Sequence, residues 1–165
     1  MKIDIARQPL VPAFMTLFAL AVAAMCAGIP VSDTSGAVRD ALPLLGGELA
    51  RFQAAYPVWS KFAAGFMLLF TGMCAGRITI RYNLYTVGTC LPIPLYAIVA
   101  CGIATGGNYL AGFAASMLLA LATKNYCRAF CNGYGFDAIF RASLYLGLMP
   151  LVYAPGLPML LLLPL

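Results

Sequence analysis

Long apolar segments separated by short polar connections are the feature that most constrains the fold of this chain. Charged residues make up only 9% of its 165 residues, and hydrophobic residues make up 63%. Because a soluble domain carries about 25% charged residues, this chain has too little polar surface to cover a globule in water. We therefore expect the lipid bilayer to surround most of it.

Five of the apolar segments are candidates for membrane-spanning helices. A helix rises about 1.5 Å per residue, so about 20 residues cross a hydrocarbon core of about 30 Å. We predict an all-α fold, a polytopic transmembrane helical bundle of about five spans that forms one integral membrane domain over residues 1–165. The predicted spans are residues 9–31, 57–76, 86–107, 109–123 and 142–165, with a polar external loop at 32–56.

The first and last segments each have a second interpretation. Lys2 and Arg7 precede the first segment, as in a signal peptide, but Asp4 lies between them and no clear A-x-A cleavage site follows, which favours an uncleaved helix. The last segment is either one kinked helix or two short helices broken at Pro155-Gly156. The chain ends inside this apolar segment without a charged flank, as the front part of a longer chain would.

Two connections predict local structure. The spacing of leucine and phenylalanine over residues 42–52 predicts an amphipathic piece that lies along the membrane interface. Gly46-Gly47 is expected to interrupt it, because glycine is a poor helix former. The sequence RITIRYNLY, residues 77–85, predicts a short basic turn.

Glycine and proline predict the packing within the spans. Pro92 and Pro94 would bend the first half of the third span, which neighbouring helices can accommodate. The sequences GMCAG (72–76) and GIATG (102–106) have the G-x-x-x-G spacing that lets helices approach closely. We interpret these glycines as internal packing positions in preference to a dimer face.

The basic residues predict the orientation. Loops on the cytoplasmic side of a membrane protein are enriched in lysine and arginine. Five spans with a cytoplasmic amino terminus place seven of the ten basic residues on the cytoplasmic side, whereas the reverse orientation would place only three there. The seven are Lys2, Arg7, Arg77, Arg81, Lys124, Arg128 and Arg141.

The stretch KNYCRAFCNGYGFDAIFRASLYLG, residues 124–147, is the most chemically mixed part of the chain. Cys127 and Cys131 share a helix face but are poorly placed for a disulfide. Zinc normally takes four ligands, and this chain has no histidine to complete a set. We therefore interpret both cysteines as packing residues and predict no metal and no cofactor.

Asp137 and Arg141 have the i, i+4 spacing of a helix ion pair. The first interpretation is a carboxylate at a helix start with an arginine anchored among the lipid headgroups. The second is an ion pair that faces an intramembrane cavity, because ionisable residues at membrane depth are often functional. Their position near the end of a span favours the first. Asn83 would cap the next helix or donate to a lipid phosphate.

The sequences RYNLYTVGTCLPIPLYAI and FDAIFRASLYLGLMPLVYAPGLPMLLLLPL carry a family resemblance. Over residues 78–165 the chain resembles an uncharacterised family of multi-pass inner-membrane proteins from Bacteroidota. The resemblance implies a bacterial inner-membrane location, usually more spans than this chain has, and no known activity. The matching positions are Asn83, Leu84, Leu91, Pro92, Phe136, Asp137, Ala138, Ser143, Leu144, Tyr153 and Pro155.

Two functions are consistent with these features. The chain shows no known catalytic motif, and its scattered basic residues give no nucleic-acid-binding patch. We expect a non-enzymatic subunit or scaffold in envelope assembly, with other membrane proteins as partners. The alternative is a transporter or glycan-transfer component that handles a lipid-linked anionic substrate. The candidate contacts to a lipid phosphate or substrate are Arg77, Arg81, Asn83, Lys124, Arg128, Asp137 and Arg141.

Overall fold

The computed structural model describes residues 10–26, 44–82, 90–103, 108–131 and 135–162. All regular structure in these ranges is helical, which confirms the all-α prediction. The helices are α1 (Leu10–Cys26), α2 (Leu44–Ala55), α3 (Pro57–Arg81), α4 (Pro92–Ile103), α5 (Tyr109–Cys131), α6 (Phe136–Val152) and a carboxyl-terminal 3-10 helix (Ala154–Leu162).

One helix among the described residues, α3, is long and apolar enough to cross a membrane. It has 25 residues, and its most apolar stretch has a mean hydropathy of 1.5. A shorter apolar helical stretch, Pro12–Ala23, lies in α1. The 12 residues of α4 would reach only about 18 Å. The described helices therefore include one candidate span, where the sequence predicts about five.

Two helices continue through basic residues that were predicted to lie in connections. The predicted turn at residues 77–85 is wrong for its first part, because α3 ends at Arg81. Helix α5 likewise runs to Cys131, beyond the predicted span end at residue 123. Neither stretch contains glycine or proline, and the buried residues Ile78 and Ala129 continue the packed faces of their helices, so nothing stops either helix earlier.

Glycine and proline act differently from the prediction at two other helices. Helix α2 runs through Gly46-Gly47, so the expected interruption there is wrong. Gly46 lies in the first turn and is buried, and tertiary packing of this kind outweighs poor helix propensity. The prolines do not bend a longer helix among the described residues, because α4 begins at Pro92. A proline in the first turn costs no helix hydrogen bond, since those N–H groups have no partner within the helix.

The last apolar segment forms two helical pieces, which agrees with the interpretation as two short helices and not with one kinked helix. The break lies at Tyr153, where the backbone is extended, two residues before the predicted position. Gly156 then packs against Met149, and a Cβ atom added there would lie 3.1 Å from Met149 Cγ. The 3-10 helix therefore folds back closely on the end of α6.

The contacts give the relative directions of helices α3 to α6. Ser60 in the first turn of α3 is hydrogen-bonded to Tyr109 in the first turn of α5. About two turns further along α3, Met67 packs against a cluster that contains Ala114, which lies further along α5. Helices α3 and α5 are therefore parallel. Helix α4 is antiparallel to both, since Ile93 at its start lies against Gly76 near the end of α3.

Helix α6 is antiparallel to α5. Only the four residues 132–135 separate the end of α5 from the start of α6, so these two termini lie close together. At the other end of α6, Val152 packs on Ala111 and Ala114 at the start of α5.

Small residues fill the interior of the bundle, and large apolar residues cover its surface. Alanine accounts for 12 of the 23 buried hydrophobic residues in the described ranges. Nine of the ten phenylalanines are exposed. A water-soluble protein buries most of its large apolar side chains, so this distribution is the reverse of that of a soluble domain.

Candidate functional site

Five of the basic candidate residues lie toward one end of the bundle. Arg77 and Arg81 are in the last two turns of α3, and Lys124 and Arg128 are in the last two turns of α5. Because α3 and α5 are parallel and α6 begins where α5 ends, Arg141 lies toward the same end. We call this region the basic end, defined by Arg77, Arg81, Lys124, Arg128, Asp137 and Arg141; all six side chains are exposed.

The basic end contains one acidic side chain among the described residues, Asp137. Its carboxylate accepts a hydrogen bond from Arg141 Nε at 3.1 Å, which confirms the predicted i, i+4 pair. The Arg141 side chain is 59% exposed and that of Asp137 is 72% exposed. The pair therefore lies on the outer surface of the bundle, where an ion pair contributes at most about 1 kcal/mol to stability.

The two cysteines near the basic end differ in their surroundings. Cys127 is half-buried and Cys131 is exposed, and both are free thiols. Partial burial raises the pKa of the Cys127 thiol, and the nearby Cys131 raises it further. The packing interpretation therefore holds for Cys127 and is wrong for Cys131, which points away from the core. Among the described residues, no group of three or more potential metal-ligating side chains occurs.

The opposite end of the bundle is built from aromatic and hydroxyl side chains. We call it the aromatic end, defined by Phe52, Tyr56, Trp59, Ser60, Lys61, Phe62 and Tyr109. Phe52, Tyr56, Trp59 and Phe62, together with Ala63 and Phe66, line an open apolar groove of about 520 Å³ where α2 meets α3. Beside it, Glu48 and Arg51 form an exposed ion pair with 2.6 Å between the carboxylate and the guanidinium.

A buried hydroxyl pair and a partly buried one join helices in the described part of the chain, and sequence reasoning missed both. Ser60 Oγ and Tyr109 OH lie 2.6 Å apart and link α3 to α5. Tyr96 OH and Ser116 Oγ lie 3.1 Å apart and link α4 to α5. Polar side chains inside apolar segments must form hydrogen bonds within the protein when lipid surrounds the helices. The presence of serine and tyrosine in such segments is therefore the sequence signal for these pairs.

The remaining predicted packing positions are partly described. Gly72 lies against Leu17 of α1, and a Cβ atom added to Gly72 would come within 2.8 Å of Leu17. Gly76 lies still closer to Ile93 of α4. These contacts confirm the internal packing role of the first G-x-x-x-G motif. Asn83 and the close of the second motif at residues 104–106 lie outside the described residues.

Comparison with known proteins gives no match. No protein-family model, curated protein or solved structure matches this chain. The resemblance to the Bacteroidota inner-membrane family therefore stays a prediction, and the function must be argued from the geometry.

Proposed function

We propose that this chain is an integral membrane protein of about five spans in a bacterial inner membrane, with a cytoplasmic amino terminus. Within that membrane it acts as a non-enzymatic subunit or scaffold in envelope assembly. The observation that carries the proposal is the reversed distribution of apolar residues, with alanine inside and phenylalanine outside. Exposed apolar surface on this scale is stable when it faces lipid or another protein.

The outer face of α3 supports a membrane position. Trp59, Phe62, Phe66, Phe70 and Met73 recur at helical spacing and are all exposed. The stripe starts at a tryptophan, as expected at a membrane–water interface. From Trp59 to the first basic residue at the other end, Arg77, the helix rises about 27 Å, close to the thickness of a hydrocarbon core.

The distribution of charge supports the proposed orientation. Nine charged residues lie in the described ranges, and six of them belong to the basic end. Lys61, Glu48 and Arg51 lie toward the aromatic end. The positive-inside rule assigns the end with more lysine and arginine to the cytoplasm.

The interior supports a structural role over a chemical one. The four buried polar side chains in the described ranges are Gln53, Ser60, Thr71 and Thr79, and none of them is charged. Ser60 bonds to Tyr109, and Thr79 donates to the carbonyl of Ala75. Pumps and transporters place ionisable residues at membrane depth, so these uncharged groups fit a scaffold better.

The open aromatic groove supports a partner at the aromatic end. Aromatic side chains are enriched in protein interfaces because each contributes a large contact area at little entropic cost. Trp59 is 68% exposed and Phe66 is 67% exposed, so both are available to a neighbouring membrane protein.

A second candidate function rests on the basic end. Five exposed basic side chains with one carboxylate would attract the phosphate of a lipid-linked substrate, with each lysine or arginine contributing about 1 kcal/mol near an anionic surface. This arrangement would suit a transporter or a glycan-transfer component.

Native mass spectrometry of the protein extracted from its own membrane tests the proposal. Stoichiometric partner proteins are the result expected for a subunit or scaffold. A protein that is recovered alone and retains a polyprenyl phosphate or another anionic lipid would contradict it and favour the substrate-handling function.

A further inference from the structure

A small cavity lies between α4 and α5 on the half of the bundle nearer the aromatic end. Its volume is about 80 Å³, and its walls include Tyr96 and Val99 from α4 and Tyr109, Gly112 and Ser116 from α5. An engineered cavity of about 150 Å³ is enough to hold benzene in another protein. This smaller cavity would therefore hold a short piece of a hydrocarbon chain and is too small for a lipid headgroup.

Gly112 keeps the cavity open. A Cβ atom added to Gly72 or Gly76 would meet a side chain of a neighbouring helix, so close packing explains those glycines. A Cβ atom added to Gly112 would meet nothing within 4 Å. Gly112 lies inside a helix, where glycine costs about 1 kcal/mol relative to alanine, and no protein neighbour requires it. Unlike Gly147, which is also free of neighbours, Gly112 lines the cavity, so a side chain at this position would occupy its space.

The hydroxyl groups around the cavity have no proton left to donate. Ser116 Oγ donates its proton to the carbonyl of Phe113 at 2.8 Å, so Tyr96 must donate its own proton to Ser116. Ser60 Oγ donates to the carbonyl of Pro57 at 2.9 Å, so Tyr109 must donate to Ser60 in the same way. An anionic ligand needs hydrogen-bond donors, and these groups offer none. The rest of the wall is formed by Val99, Ala100, Gly112 and Phe113, which suits an apolar occupant.

The cavity meets the outer surface of α4. Val99 forms part of its wall and is 60% exposed. Leu95 and Ile98 on the same helix are also exposed, at 53% and 60%. Under the proposed membrane position these side chains face lipid, so a hydrocarbon chain reaches the opening without crossing a polar surface.

We propose that the cavity binds a segment of a lipid hydrocarbon chain that enters beside Val99. The proposal rests on the proposed function, because the chain must lie in a membrane for this lipid to be available. From Lys124 the helix rises about 12 Å to Ser116 and about 18 Å to Gly112, so the cavity lies near the middle of a hydrocarbon core of about 30 Å, away from the basic end. This site is separate from any phosphate contact made by the arginines.

Photolabelling of the full chain in lipid nanodiscs tests the site. The probe is a phosphatidylcholine with a diazirine in the middle of one acyl chain, at low content in phosphatidylethanolamine and phosphatidylglycerol. Labelled positions are mapped by mass spectrometry. We expect labelling at the half-buried wall residues Tyr96 and Ser116 in the natural chain, and a roughly tenfold decrease there in Gly112→Leu, because a filled cavity in a close-packed interior has no room for the chain.

The controls separate cavity filling from general damage. Gly147→Leu changes a second helix glycine that has open space around it and should leave the labelling at Tyr96 and Ser116 unchanged. Labelling of the outer face of α3 should be the same in all variants. If Gly112→Leu does not accumulate, Gly112→Ala adds a single methyl group and should still reduce labelling.

Two results would overturn the proposal, and they are distinguishable. In the first, alkaline carbonate does not release the protein from the membrane, but labelling is unchanged in both Gly112 variants. This result contradicts the lipid site alone. A protein that alkaline carbonate releases contradicts the membrane position, and with it the lipid site.

Discussion

The two ends of the helix bundle are held together in different ways. At the aromatic end, buried hydroxyl groups connect the helices, with Ser60 bonded to Tyr109. Toward the basic end, apolar atoms of two helices lie in direct contact, with Ile93 against Gly76. The basic end also has most of the exposed charge in the described part of the chain. Hydrogen bonds and close packing therefore both join the helices, and under the proposed orientation the exposed charge marks the cytoplasmic end.

Replacing Gly76 should give the largest change in stability. A Cβ atom added at Gly76 would overlap the side chain of Ile93, which is only 1% exposed, so Gly76→Ala should destabilise the protein by about 1–3 kcal/mol. Gly147→Ala, at an exposed helix position without neighbours, should be neutral or stabilising by up to about 1 kcal/mol. Denaturation in detergent measures both. Equal effects at the two glycines would show that the contact with Ile93 does not constrain the bundle.

Removing the hydroxyl pair at the aromatic end should have a smaller effect. Tyr109→Phe removes the donor to Ser60, and the net loss for one hydrogen bond is about 0.5–1.5 kcal/mol. The measurement is a double-mutant cycle with Ser60→Ala. The account requires the two changes to be non-additive, and additive effects would mean that the 2.6 Å contact contributes nothing to stability.

The ion pair at the basic end should matter least for stability. Asp137→Asn and Arg141→Gln each remove an exposed pair, so we expect losses below about 1 kcal/mol. A scaffold with either change should accumulate normally and complement a deletion strain. Loss of complementation at a normal protein level would favour the substrate-handling function instead.

The thiols at the end of α5 provide a chemical test of the same surface. A thiolate is the form that reacts, and burial raises the pKa of Cys127. At a fixed mildly alkaline pH, Cys131 should therefore be alkylated faster than Cys127. Trypsin cleavage after Arg128 places the two thiols on different peptides, so mass spectrometry can follow both rates in one sample. Equal rates would contradict the difference in burial.

The helical character of the chain could be predicted from its apolar segments, but helix ends and contacts between helices could not. Basic residues predicted that the second span would end near residue 76, yet the helix continues through them, as α3 does to Arg81. The G-x-x-x-G spacing correctly predicted close packing at Gly76, although it does not identify Ile93 as the neighbour.

The hydroxyl pairs depend on residues far apart in the sequence. Ser60 and Tyr109 are 49 positions apart, and only the parallel arrangement of α3 and α5 brings them together. The exposure of Cys131 could not be predicted either, because the spacing of two cysteines on one helix face does not reveal which of them contacts the core.

The most direct test of the account is the accessibility of the two ends in the membrane. Two single-cysteine variants are compared. One keeps only Cys131, which is exposed near the basic end, and the other has only the cysteine introduced by Glu48→Cys, toward the aromatic end. An impermeant maleimide is added to spheroplasts before and after permeabilisation. We expect position 48 to react at once and Cys131 to react only after permeabilisation. Equal accessibility of both positions before permeabilisation would contradict a bundle that spans the membrane.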